Sequence, residues 1–303
     1  MKNLKRILVG IDYSDCCENA LAEAARLANW SDGKLICLHV FDDEVFEQFQ
    51  RYESFDRTAV IEEAQRRLET FVADQLGAGH DIECVVKIGH PFKELLHGVH
   101  DWKADLLVLG SRGFNQKDES RTGVFASRCI RKAPVPVLLV RKHQSDPFSR
   151  VVACVDFSKT SDRAIEHALE VAEQSASKLE LLHVFISPLM VASDAYGLGP
   201  TLPPIDPAET RRILEDRLNS LADKMGANYP KVEITTHVQE GASIARTIIE
   251  RLEECSADLV VLGTRGRTGF KSLLMGTTAE KLIHETPCSA LTIKPEGFHY
   301  EVD

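Results

Sequence analysis

Glycines, hydroxyls and cations gather between Gly263 and Thr278. The run reads Gly263-Thr264-Arg265-Gly266-Arg267-Thr268-Gly269, then Lys271, then Gly276-Thr277-Thr278. These residue types in this order suit a polyphosphate. Glycines let a backbone approach an anion closely. Successive N–H groups form an anion nest. A helix opening at Gly276-Thr277 would turn its free N–H groups and positive dipole end toward the ligand. The Thr277 and Thr278 hydroxyls add donors, and Arg265, Arg267 and Lys271 offset negative charge. The plainer reading is a glycine-rich turn closed by a threonine N-cap. Two familiar nucleotide motifs fail on spacing. A P-loop needs Gly-Lys-Ser/Thr, and Gly269-Phe270-Lys271-Ser272 interposes a Phe. A dinucleotide fingerprint needs glycines after the first strand, where Asp156-Phe157-Ser158 stands instead.

The loop occurs twice because the chain is a repeat. Arg6–Ser14 reappears as Arg150–Ser158, and Lys34–Phe41 as Lys178–Phe185, both at an offset of 144. Ala104–Gly113 matches Ala257–Gly266 at an offset of 153, which holds through Gly123/Gly276 and Pro134/Pro287. The second copy is therefore nine residues longer, and most of the excess falls in the Pro- and Gly-rich stretch from Ser187 to Pro207. This predicts two domains, 1–143 and 149–303, joined near Lys142 to Ser149.

Each copy alternates strand and helix signals. Strands are expected at Arg6–Asp12, Leu35–Phe41, Ile82–Lys87, Asp105–Gly110 and Val135–Arg141. Helices are expected at Asp15–Trp30, Arg57–Leu76, Pro91–Asp101 and Gly123–Lys132, then at Thr160–Ser175, Pro207–Met225, Ala242–Cys255 and Thr277–Glu285. Apolar strands without clean alternation, separated by amphipathic helices, predict a parallel sheet covered on both faces. The fold class is α/β, with two tandem doubly wound five-stranded parallel-sheet domains. Ligands of such sheets bind past the carboxyl ends of strands, where strand order reverses. That draws attention to Asp12 and Asp156 after the first strands, Val40 and Val184 at the second, and Gly110, Gly113, Gly263 and Gly266 at the fourth.

Composition narrows the class. The chain has 303 residues, 44% hydrophobic and 27% charged, as folded globular domains do. A net charge of −10 argues against a nucleic-acid binder. No apolar stretch approaches the roughly 20 residues that span a bilayer, and no secretory signal is visible at Met1. A cytoplasmic location without membrane or nucleic-acid partners is expected. The eight cysteines form no Cys-x-x-Cys pair, so no zinc site is expected, and several read as small buried hydrophobes.

Gly263-x2-Gly266-x9-Gly276-Thr277 resembles the ATP-binding signature G-x2-G-x9-G-[ST] of the universal stress protein family. Asp156-Phe157-Ser158, Leu182-His183-Val184, Thr278–Ile283 and Ile293-Lys294-Pro295 are similar to its other landmarks, and the resemblance spans two tandem domains. It implies the adenine nucleotide alpha hydrolase-like fold and ATP bound in the second copy. Val184 would hold the adenine through its backbone. Asp156, with Phe157, would lie beside base and ribose. Gly263, Thr264, Arg265, Gly266 and Arg267 would line ribose and phosphates, and Gly276, Thr277 and Thr278 would grip the phosphates. Mg²⁺ would be carried by the phosphate oxygens, with no protein metal ligands. In the first copy Asp12, Val40, Gly110, Gly113 and Gly123 keep their places. Val124 and Phe125 replace the two hydroxyl residues, and Asp118 and Glu119 oppose a phosphate against Lys117 and Arg121. Weak or absent binding is expected there.

Other features are less specific. His39 and His183 occupy matching strand positions; His90, His97 and His100 cluster; Cys16 and Cys17 open the first helix, where a thiolate is stabilised. Phe185–Leu189, with Met190 and Tyr196, could cover a ligand or partner. No Ser-His-Asp or Cys-His arrangement is present, so no catalytic residue is assigned. Three functions stay open. The first is a nucleotide-dependent switch or binding module of the stress response, acting on an unknown protein partner. The second is a slow ATPase helped by Asp156. The third is a nucleotide-free scaffold, whose copies pair through Val135–Arg141 and Ser289–Lys294. Association of two chains is a further expectation left open.

Overall fold

The computed structural model describes residues 4–49, 56–77, 81–113, 122–141, 147–186, 206–266 and 275–300. The chain divides into two compact units, Met1–Pro147 with Gly297–Asp303, and Phe148–Glu296. In the first unit the elements are β1 (Arg6–Ile11), α1 (Asp15–Ser31), β2 (Lys34–Asp42), α2 (Asp43–Phe49), α3 (Arg57–Leu76), β3 (Ile82–Gly89), α4 (Pro91–Asp101), β4 (Leu106–Gly110), α5 (Val124–Lys132) and β5 (Val137–Val140). In the second they are β6 (Arg150–Cys154), α6 (Lys159–Ser175), β7 (Lys178–Phe185), α7 (Pro207–Gly226), β8 (Glu233–Glu240), α8 (Ile244–Glu254), β9 (Leu259–Gly263), α9 (Thr277–Glu285) and β10 (Ser289–Ile293).

Both sheets are parallel and share one order: β3-β2-β1-β4-β5 in the first unit, and β8-β7-β6-β9-β10 in the second. The order reverses beside β1 and beside β6, which places a switch-point crevice at the end of each. In the first unit α1 packs with α3 and α4 with α5; in the second α6 packs with α7 and α8 with α9. Helices on two faces explain why central strands carry consecutive apolar residues: Ile7, Leu8 and Val9 are all buried, as are Leu106, Leu107 and Val108.

Helix boundaries follow local chemistry. Ser14 caps α1 by accepting from Cys17 N, and Ser158 caps α6 by accepting from Ser161 N. Asp56 and Asp206 cap α3 and α7 in the same way. The short acidic helix α2 has no counterpart among the sequence expectations. β5 begins at Val137, two residues later than Val135, since Pro134 and Pro136 have no N–H to donate. Ser187 to Ile205, which holds most of the Pro- and Gly-rich excess of the second copy, falls outside the described residues. Among the described residues no helix is long and apolar enough to cross a membrane, and no group of three His, Cys, Asp or Glu could hold a metal. His90 instead caps α4, accepting from Phe92 N at 3.2 Å.

A partly buried charged pair joins β7 to α8 in the second unit. Glu180 on β7 accepts from Arg251 Nε at 2.9 Å and from Nη2 at 2.6 Å, a bidentate contact from α8. The residue matching Glu180 in the first copy is Ile36. Removing one partner strands the other charge, whereas an apolar pair restores the packing. Arg251→Ala is therefore expected to destabilise the second unit by about 1–3 kcal/mol in urea unfolding. Glu180→Ile combined with Arg251→Met should recover most of that loss.

Candidate functional site

In the second unit, Val155 ends the pairing of β6 with β7, its N–H donating to Leu182 O at 2.8 Å. The chain then turns through Asp156, Phe157 and Ser158. Asp156 Oδ1 accepts from Ser158 N at 3.0 Å, closing the turn. Phe157 adopts φ +59°, a left-handed conformation that costs a non-glycine residue on the order of 1 kcal/mol. Its ring is held between the His183 ring, 4.6 Å away, and the Arg217 guanidinium of α7, 4.0 Å away.

His183 also settles the backbone. Its Nδ1 lies 2.7 Å from Val155 O, and a carbonyl only accepts, so Nδ1 carries the proton. Alternate residues of a strand direct their N–H and C=O to opposite edges. Leu182 O faces β6 and Phe185 O faces β8, where it accepts from Gly241 N at 3.0 Å. Val184 therefore addresses the β6 side, beyond the last paired residues Cys154 and Leu182. In the first unit pairing continues one step further, to Ile11 and His39. The second unit thus opens its crevice one residue earlier, with Val184 backbone groups turned over the end of β6.

The glycine loop arrives from the other side. Gly263 ends β9, and Thr264 is wholly buried, donating from its N to Ile293 O at 2.8 Å. Gly276 N donates to Thr264 O at 2.8 Å, so the two ends of the loop are fastened together. A Cβ on Gly266 would come within 2.5 Å of Asp156 Oδ2, which brings this loop against the β6 turn. Gly276 is the N-cap of α9, with φ −75° and ψ 149° and no side chain to cap the helix. Thr277 and Thr278 fill the first helical positions, where N–H groups have no intrahelical acceptor. Arg267 and Lys271 lie outside the described residues.

A second cation sits beside Arg265. Lys294 directly follows β10 and is 2% exposed. Burial, followed by the Arg265 charge, lowers its ammonium to about 7. Arg163 of α6 donates to Lys294 O at 2.7 Å and fixes that corner.

The first unit repeats the frame with different fittings. Tyr13 takes φ +62° between His39 and Arg67. His39 Nδ1 bonds Ile11 O at 2.8 Å. Asp12 Oδ1 accepts from Ser14 N at 3.0 Å and from Ser14 Oγ at 2.6 Å. Gly110 ends β4, Gly123 caps α5 without a side-chain bond, and Gly113 lies against Asp12 Oδ2. Val40 lies on β2, paired with Lys87. Arg112 is turned inward, 9% exposed, with Nη2 3.8 Å from Cys16 Sγ. At the helix start, where the second unit has two threonines, Val124 is 81% exposed and Phe125 is 42% exposed.

Comparison with known proteins gives this duplicated frame a family. The universal stress protein family matches residues 3–141 and again residues 147–294. The chain belongs to the universal stress protein family. It is similar to universal stress protein E of Photorhabdus laumondii, at 26% identity over 312 residues, covering 98% of this chain and 97% of the relative. Universal stress protein E of Escherichia coli K12 is 25% identical over 324 residues, covering 100% and 98%. A solved universal stress protein from Archaeoglobus fulgidus shares the fold, with a TM-score of 0.63 at 20% identity, over 95% of this chain and 98% of that one.

Among the residues of this universal stress protein, His183, Arg217, Arg163 and Lys294 were not expected in the site. A duplicated histidine was the one signal available for the first. Burial, as the largest cause, lowers the pKa of His39, so the folded protein keeps it neutral. The unfolded chain binds a proton near pH 6.5 before the folded chain does. Stability is thus held above that pH and lost as pH falls below it, by up to about 1.4 kcal/mol per pH unit. His39→Asn keeps an amide donor toward Ile11 O but cannot ionise. Unfolding midpoints measured from pH 7.5 down to 5.5 should fall less steeply for this variant than for the parent.

Proposed function

We propose that the second domain binds ATP, with Mg²⁺ carried on its phosphates, as the ligand of a regulatory module. The residues fit such a ligand. Val184 offers a backbone donor and acceptor to the adenine edge. Asp156 stands beside the sugar, with Phe157 holding the turn. Gly263, Thr264, Arg265 and Gly266 form the strand end that would follow ribose and phosphates, and Arg267, outside the described residues, comes next in the sequence. Gly276, Thr277 and Thr278 supply the uncapped helix start, and Lys294 adds charge behind Arg265. When bound, the nucleotide contributes a polyanion whose presence ties β9, α9 and the β6 turn together. The first domain, through Asp12, Val40, Gly110, Gly113 and Gly123, keeps the frame. Val124 and Phe125 remove two hydroxyl donors at about 1 kcal/mol each, so we assign it weak nucleotide binding or none.

One observation carries this reading. Gly276 has an ordinary φ, and an added Cβ would meet nothing nearer than Thr264 O at 3.7 Å. Neither backbone strain nor packing within the described residues demands a glycine there. A ligand lying on the helix start does. Binding is favoured over hydrolysis because Asp156, the one carboxylate assigned to the site, spends Oδ1 on the Ser158 N–H.

The test starts with the nucleotide content of the purified chain, released by denaturation and quantified by chromatography and mass spectrometry. About one adenine nucleotide per chain is expected. Gly276→Val should weaken ATP binding by at least about tenfold in calorimetry while moving the unfolding midpoint little. A parent protein that neither carries nor binds ATP would end the reading and leave a scaffold.

A further inference from the structure

A second chemistry lies in the first unit, away from the glycine loop. β2 and β3 run parallel and in register, with Cys37 directly opposite Cys84. Matched residues of a parallel ladder project from the same face, and neighbouring strands lie about 4.8 Å apart. That separation falls within the range of about 4.4–6.8 Å between Cα atoms that a disulfide spans. The pair is 47 residues apart in sequence, so only the sheet brings it together.

The two thiols differ in access. Cys37 is 0% exposed, whereas Cys84 is half-buried on the edge strand. The two thiols face each other across the ladder and perturb one another. The contact with Cys84, then burial, pushes the Cys37 thiol far up. The same contact draws the Cys84 thiol down, against the opposing effects of burial and the Glu69 carboxylate on α3. Cys17 of α1 is the third sulfur nearby. Burial pushes it up to about 12, and its Sγ points to Gly10 O at 3.8 Å. Gln65 of α3 holds the Cys84 carbonyl at 2.8 Å and fixes the strand there. A half-buried thiol on an edge strand, set directly opposite a buried thiol, is the arrangement of an attacking and a resolving cysteine.

We infer that Cys84 and Cys37 are a redox modification site, oxidised by hydroperoxides to a cross-strand disulfide. Cys84 sulfur attacks the peroxide oxygen, the O–O bond breaks, and the departing alkoxide or hydroxide takes up a proton. Cys84 is then a sulfenic acid. Cys37 sulfur attacks Cys84 sulfur, the S–O bond breaks, and the hydroxide leaves as water with the Cys37 proton. Two thiols and one hydroperoxide give one disulfide, one alcohol or water, and one further water. The thiol pair loses two electrons and the O–O bond gains them. A thiol reductant reverses the change. The linkage fastens the edge strand β3 to β2.

The full-length chain is treated with hydrogen peroxide, its remaining thiols are alkylated, and its peptides are mapped by mass spectrometry without reduction. The expected product is a Cys37–Cys84 linked peptide, lighter by two hydrogens and cleaved by dithiothreitol. Cys37→Ala fills the buried position with another small apolar group. In this variant Cys84 should accumulate as a sulfenic acid that dimedone captures. Cys84→Ala should slow the loss of the Cys37 thiol by at least about tenfold. Circular dichroism confirms that each variant is folded. If both thiols of the parent remain alkylatable after peroxide, or if the disulfides formed join other cysteines, the inference is overturned. ATP content plays no part in either outcome.

Discussion

The carbonyl that ends each first strand needs a donor, and a histidine supplies it. In the second copy the ladder stops short of Val155 and the imidazole meets its carbonyl, while in the first copy Ile11 is still paired with His39 and the imidazole bond adds to the ladder. His39 and His183 reach across and take Ile11 O and Val155 O. Much else follows from this bond. The neighbouring strand can run on while the first strand leaves the sheet. The departing chain must turn at once, and it does so through a left-handed Tyr13 or Phe157 packed on the same imidazole. The turn aims an aspartate at the glycine loop and opens a helix with a serine cap. A ring nitrogen, a strained aromatic residue and a carboxylate therefore form one mechanical unit in each copy.

Duplication shows which parts of that unit belong to the frame and which to a ligand. The histidine, the left-handed aromatic residue, the arginine over its face and the Asx turn are kept in both copies. The helix-start hydroxyls and the earlier release of β6 belong to the second alone, while the strand-end corner recurs with other residues, Asn19 donating to Arg141 O at 3.2 Å where Arg163 donates to Lys294 O. The first copy instead turns Arg112 inward beside Cys16 and exposes Val124 and Phe125. The frame can persist without the ligand, because its bonds are internal to the fold.

Much of the architecture was legible in the sequence. Consecutive apolar residues such as Ile7, Leu8 and Val9 mark strands buried on both faces. The serine, aspartate and proline signals located the starts of α1, α3, α4 and α7. The acidic stretch Asp43–Phe49 escaped, being too short to display a helical period beside a strand that runs directly into it. The glycine spacing and the strand-end aspartate pointed to the crevice before any coordinates. What stayed hidden depends on register between distant segments. Nothing near His183 announces that it will meet Val155 O. Lys294, in the landmark Ile293-Lys294-Pro295, carries no sign in the sequence that it will be buried beside Arg265. Cys37 and Cys84 look like two unrelated apolar-strand residues until β2 and β3 align them.

The bare glycine caps of α5 and α9 have a consequence for local order. Side-chain bonds anchor the starts of α1, α3, α4, α6 and α7, whereas Gly123 and Gly276 supply none. A helix end without a partner for its amides frays more readily and exchanges its amide hydrogens sooner. In α9, any anion that occupies the end supplies the missing cap, so occupancy and helical order become a single equilibrium. The first turn of α9 would then report the ligand through its own folding, an order–disorder signal written into nine residues at the rim of the sheet.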